Sequence, residues 1–89
     1  MNLYKQRESI VSEQVNEKTY ILLPQKGKMI ELNQTASFIW HELIEAKKPN
    51  QIAQKLSNSF EVDSEMAAED VRTTIDRFYE LKLVTKVAP

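Results

Sequence analysis

The stretch with the strongest chemical potential in this sequence is His41-Glu42-Leu43-Ile44-Glu45. A zinc-hydrolase helix reads His-Glu-x-x-His, because imidazoles four residues apart meet one metal ion from a single helix face. Here the fifth position holds Glu45, and His41 is the only histidine. The ligand pair cannot form, so the stretch reads as a solvated helix face. Neither Glu42 nor Glu45 has a positioned partner that would make it a general acid or base. The chain has no Cys and a single Gly. That excludes thiolate nucleophiles, thiolate zinc sites, iron–sulfur clusters, disulfides and glycine-rich phosphate loops. No Ser/His/Asp set can be argued, and Trp40 falls in an apolar stripe, as a core residue does. The expectation is a protein that is not an enzyme and carries no metal and no organic cofactor.

The elements that would have to position any site belong to one small domain, 1–89, with its core between about residues 9 and 84. Eighty-nine residues, 42% hydrophobic and 28% charged, give a globular composition without low-complexity linkers. The apolar runs, such as Tyr20-Ile21-Leu22-Leu23, are far too short to span a bilayer, and Met1–Ile10 lacks a signal-peptide apolar region. The chain is therefore expected to be cytoplasmic, with no membrane partner.

Two halves with different periods follow each other. Ser9–Val15, Thr19–Leu23 and Lys28–Leu32 read as three strands, separated by Asn16-Glu17-Lys18 and by Pro24-Gln25-Lys26-Gly27. Short turns between short strands imply an antiparallel meander. From Asn33, a good N-cap residue, the period becomes helical: Ala36, Ile39, Trp40, Leu43 and Ile44 share one face. That helix is expected to end around Ala46–Lys48. Pro49 opens a second helix with Ile52, Ala53, Leu56 and Phe60 as its stripe. After Glu61-Val62-Asp63, a third helix starts at Ser64, where Ser64 and Ala67 offer half a capping box. It runs to about Leu81 with Ala67, Val71, Ile75 and Phe78 in line, and Leu83 and Val84 close the core. The fold class is α+β, a three-stranded antiparallel sheet followed by three helices. It fits a winged helix-turn-helix, although the pattern alone also allows other small α+β domains.

A winged helix suggests a DNA-binding regulator, which a charge count can test. The last helix would enter the major groove. Residues 64–81 carry Glu65, Glu69, Asp70, Asp76 and Glu80 against Arg72 and Arg77, five acids against two bases, or −3. The acids near its start suit the helix dipole and oppose phosphates. With a whole-chain charge of −1, nucleic acid is not the expected partner.

A family resemblance supplies another reading. Glu31-Leu32-Asn33-Gln34-Thr35-Ala36, Ile39-Trp40, Ile52-Ala53-Gln54-Lys55-Leu56 with Phe60, and Glu69-Asp70-Val71 with Ile75 resemble PqqD-like proteins. These are the peptide-recognition elements of pathways that make and modify ribosomal peptides, and include the free-standing leader-binding proteins of lasso-peptide pathways. The resemblance covers roughly residues 9–84. One departure is Lys82, where the family usually has Gly before a closing Leu-Val or Leu-Ile pair.

The resemblance implies a module that binds the leader segment of a precursor peptide. It would deliver that leader to a maturation enzyme, such as a radical SAM enzyme or a leader peptidase and cyclase pair. In the family the leader adds as a strand beside the third strand, in the cleft against the third helix. Lys28, Met29, Ile30, Glu31 and Leu32 occupy that strand here. At 100° per residue, Ala67, Asp70, Val71, Thr74 and Arg77 share a sector of the helix, and Arg72 with Tyr79 marks the alternative flank. From composition alone, Lys28–Leu32 is an ordinary edge strand guarded by Lys28 and Glu31. An edge strand nonetheless offers unpaired backbone groups to another chain, so the resemblance turns it into a binding edge. Affinity for duplex DNA should accordingly be weak. A fluorescence-anisotropy titration at physiological salt checks this: submicromolar, sequence-selective binding would overturn the peptide-binding reading.

Overall fold

The computed structural model describes residues 2–23 and 26–87. Eight elements follow in the order β1 (Leu3–Gln6), β2 (Val11–Val15), β3 (Lys18–Leu23), β4 (Lys28–Leu32), α1 (Gln34–Glu42), α2 (Pro49–Phe60), α3 (Ser64–Glu80) and β5 (Val84–Val87). The antiparallel meander is β2-β3-β4, with Val11 opposite Leu22 and Leu22 opposite Met29. Its first turn rests on Asn16 at φ 59°, a left-handed conformation that Asn tolerates well. In its second turn Gly27 also has φ 59°, whereas Pro24 and Gln25 lie outside the described residues.

Alternation decides the sheet's faces. Thr19, Ile21 and Leu23 of β3 are buried with Leu32 of β4, while Val11, Leu22 and Met29 stand exposed in one cross-strand row. Against the buried face pack Ile39, Trp40 and Leu43, then Ile52, Ala53 and Leu56, then Ala67, Val71, Ile75 and Phe78. These are the helical stripes expected from the sequence, except that Ile44 is 58% exposed. Trp40 meets Phe78 edge to face at 5.4 Å and donates its indole N–H to Ser12 Oγ at 3.2 Å. Asn33 caps α1 by accepting from the Ala36 N–H at 2.8 Å.

Three expectations are corrected. A second sheet, β1 paired antiparallel with β5, joins the two ends of the chain through Leu3–Val87 to Gln6–Val84. The same β1 explains why α1 stops at Glu42 rather than at Ala46–Lys48. The Gln6 N–H donates to the Leu43 carbonyl at 2.7 Å, and Tyr4 exchanges backbone bonds with Lys47 at 2.9 and 3.0 Å. The connection is drawn into extended pairing, and Ile44 leaves the core face. Finally, Asp63 rather than Ser64 caps α3, its carboxylate accepting from the Glu65 N–H at 3.2 Å.

Two devices hold the helix ends. Glu42 accepts from Lys47 Nζ at 2.7 Å and from Lys55 Nζ at 3.2 Å, which ties α1, its connection and α2 together. Partial burial raises the Glu42 pKa, but the hydrogen bonds from Lys47 and Lys55 outweigh it and hold the carboxyl below its ordinary value. After α3, the Lys82 N–H donates to the Tyr79 carbonyl at 3.0 Å and the Leu83 N–H to the Phe78 carbonyl at 2.9 Å. This is a Schellman motif, and Lys82 takes its left-handed position at φ 62°. The departure from Gly therefore leaves the turn's geometry intact at the cost of local strain.

Both devices are testable by urea denaturation. Because the folded-state pKa of Glu42 is depressed, its contribution is present above the unfolded carboxylate value of roughly 4.3 and is lost as pH falls through the folded value. Glu42→Gln should cost about 1 kcal/mol at neutral pH, and that cost should shrink progressively as the pH falls below the unfolded carboxylate value. Lys82→Gly should raise stability by about 0.5–1 kcal/mol, because relief of the left-handed strain exceeds the added freedom of the unfolded chain. An unchanged or lower urea midpoint would show that Lys82 is not strained.

Candidate functional site

β4 sits at one edge of the meander and, among the described residues, pairs with a strand on one side alone. In an antiparallel strand the N–H and C=O groups point alternately toward the two neighbours. β4 therefore presents outward-directed backbone donors and acceptors along Lys28–Leu32. Its side chains alternate as well. Leu32 is buried and Ile30 half-buried on the helix side, while Met29 and Glu31 are exposed on the other. Lys18 Nζ lies 3.1 Å from Glu31 across the strand pair. The hydrogen bond from Lys18, followed by its charge and a hydrogen bond from Tyr20, holds the Glu31 carboxyl below its usual value.

β2 is the other edge of the same sheet, and all five of its residues are exposed. The two edges differ in what lies beside them. At the Leu32 end of β4 a groove of about 280 Å³ opens between the first turn of α1 and one flank of α3. Leu32, Asn33, Thr35 and Ala36 form one wall; Asp70, Thr73, Thr74 and Arg77 form the other, with Phe78 at its base. The direct passage from β4 into α1 through the Asn33 cap places the first wall. The burial of Val71, Ile75 and Phe78 fixes the rotation of α3 and so turns the second wall outward.

Of the residues expected on α3, Asp70, Thr74 and Arg77 come together along the groove. Ala67 and Val71 do not offer a surface: both are 0% exposed and belong to the core. On the alternative flank Arg72 is exposed, and the Tyr79 ring, itself 45% exposed, meets Tyr4 edge to face at 6.4 Å and carries Lys86 Nζ 4.9 Å above it. Sequence reasoning missed Asn33, Thr35, Ala36, Thr73 and Phe78 as groove residues. Thr73 was within reach, three residues after Asp70 on the same helical stripe; the α1 wall follows only from the chain's turn at Asn33.

Charge on the groove is sparse and separated. Asp70 and Arg77 are exposed, lie seven residues apart, about 10 Å along the helix, and pair with no opposite charge among the described residues. An extended chain lying between β4 and α3 would meet a cation at one point and a carboxylate at another, which favours one direction over the reverse. The zinc-like stretch forms no such site. The His41 ring nitrogen Nε2 is 3.3 Å from Thr19 Oγ1, and Glu42 is held by two lysines. Among the described residues no three His, Cys, Asp or Glu side chains gather closely enough to hold a metal ion. No helix among them is long and apolar enough to cross a membrane.

Comparison with known proteins bears on this arrangement. The family model for coenzyme PQQ synthesis protein D (PqqD) matches residues 18–84. No curated protein matches the sequence. Among solved structures, TbiB1 in complex with the TbiA(beta) leader peptide has a TM-score of 0.82 at 25% identity, over 96% of this chain and 99% of that one. A lasso peptide synthetase B1 complexed with its leader peptide has a TM-score of 0.79 at 24% identity, over 92% and 96%. The PqqD truncation of Methylobacterium extorquens PqqCD, a stand-alone recognition element for ribosomally synthesized and post-translationally modified peptides, gives 0.76 at 14% identity, over 93% and 88%. The DNA-binding alternative finds no support among these relatives.

Proposed function

The chain belongs to the PqqD family, and on that premise we propose that it is a non-catalytic recognition element for the leader segment of a ribosomally made precursor peptide. The observation that carries the proposal is the open edge of β4 alongside a groove. The leader adds as a fourth strand on Lys28–Leu32. Its backbone pairs with β4, and every second side chain enters the groove against Asp70, Thr74 and Arg77. The backbone bonds supply affinity for any extended chain, while the groove and its separated charges supply selectivity. The exposed β2 edge offers the first without the second. Two of the similar structures hold leader peptides, which supports the same assignment here.

Capture without chemistry requires a second protein. The partner is a maturation enzyme acting on the held precursor in the cytoplasm, a radical SAM enzyme or a leader peptidase and cyclase pair. A short precursor gene beside one of these enzymes would identify which.

The docking mode is checked by titrating isotope-labelled protein with the synthetic leader of the precursor encoded nearby. Amide shifts should concentrate in residues 28–32 and along α3 from Asp70 to Phe78. Shifts clustered on residues 39–56 instead would show that leaders bind elsewhere. Arg77→Glu changes an exposed helical position, so the fold should tolerate it. It should weaken leader binding by about 2 kcal/mol if the contact is desolvated and by less than 1 kcal/mol if it lies on the rim. Ile30→Pro removes a backbone donor and should abolish binding, read beside a denaturation curve, because the same change strains the strand.

A further inference from the structure

A second cavity, of about 600 Å³, lies at the opposite end of β4 from the groove. Leu23, which lines it, pairs with Lys28 at the start of β4, whereas Leu32 at the strand's end lines the groove. The two spaces also share one stripe of α3. Asp70, Thr73, Thr74 and Arg77 face the groove, and Glu80 and Leu81 face the cavity. Those positions fall at i, i+3, i+4, i+7, i+10 and i+11, a single helical face. Lys28 and Leu32 at the two ends of β4 lie four residue steps apart, about 14 Å at 3.4 Å per step. An extended chain paired along all of β4 from the groove therefore ends beside Lys28, one strand away from the Leu23 that lines the cavity and next to the turn that carries Lys26.

The cavity's chemistry differs from the groove's. Ile10, Leu23, Leu81 and Leu83 contribute apolar surface. Around them stand three cations, Arg7, Lys26 and Lys82, against one carboxylate, Glu80. Arg7 is fixed there by its backbone, whose N–H donates to the Leu83 carbonyl at 3.0 Å, and its guanidinium reaches the Lys82 carbonyl at 3.5 Å. Apolar surface inside a ring of excess positive charge suits an apolar group bearing a carboxylate.

We propose that this cavity is a second anchor for the leader peptide, receiving an apolar side chain whose neighbouring Asp or Glu meets Arg7 and Lys26. The proposal rests on strand addition at β4 and deepens it: the leader would be read at two points, with the paired strand setting the distance between them. It predicts that the leader segment running past Lys28 is acidic and apolar.

The test uses the isotope-labelled full chain with three probes: octanoate, octanamide and the synthetic leader. Octanoate should shift the amides of Ile10, Leu23, Lys26, Leu81 and Leu83, and uncharged octanamide should bind less tightly. In a chain carrying Arg7→Gln and Lys26→Gln, both at exposed positions, that preference should vanish. The leader should shift the same amides together with residues 28–32, and the double variant should weaken it by about two- to fivefold per lost charge. Equal binding of octanoate and octanamide, or octanoate shifts spread over other surfaces, would overturn the anchor's chemistry. Leader shifts confined to residues 28–32 and to Asp70–Phe78 would overturn the second anchor and leave strand addition standing. Leader shifts in none of these regions would remove both.

Discussion

Burial of the Trp40 indole constrains four elements at once. A ring of this size hides roughly 150–250 Å², on the order of 4–6 kcal/mol of transfer free energy, provided its N–H finds a partner. That partner is Ser12 in β2, which brings the first strand of the meander over α1. The ring's flank is covered by Phe78, which sets the rotation of α3. The Trp40 carbonyl accepts from Gln6 Nε2 at 2.6 Å, and this locates β1 beside the end of α1. Site geometry follows from the rotation of α3. With Phe78 turned inward, Arg77 and Thr74 stand about 100° away or less on the side facing β4, and the groove exists because of that offset.

Much of this was legible in the sequence because burial writes a period into it. The stripes of α2 and α3, the Asn33 cap, Pro49 at the start of α2 and the three strands of the meander all follow from local rules that the tertiary structure reinforces. What was hidden depends on residues far apart in the chain. Leu3–Gln6 has uniform, intermediate burial and no alternation, so nothing in those four residues announces a strand. It becomes one only because Val84–Val87 lies beside it, and its other edge then shortens α1. The site divides the same way. The identity of the edge strand and three of the five α3 residues could be read from the wheel and the resemblance. Ala67 and Val71 already stood on the apolar line of the same helix, and that line, not the sector drawn beside it, marks the core boundary.

The architecture of a winged helix here serves a different geometry of recognition. A reader of duplex DNA presents the exposed face of its last helix to phosphates. In this chain that helix carries −3 from five acids and two bases, and its exposed groove face stands beside an open strand edge. The exposed cross-strand row of Val11, Leu22 and Met29 lies on the sheet face away from the helices. A strand added to β4 would extend that face by one more row of side chains while filling the groove beneath.

The pairing of β1 with β5 has an architectural consequence. Leu3 lies opposite Val87, so the chain enters and leaves the domain about 5 Å apart, the spacing of partners on neighbouring antiparallel strands. A unit whose two ends emerge side by side is portable. It can be spliced into a surface loop of a larger enzyme without stretching the host, or reconnected end to end and reopened elsewhere, because neither operation asks the fold to move its ends. The terminal sheet acts as a clasp, closing the domain in a form that can be carried alone or inside another chain.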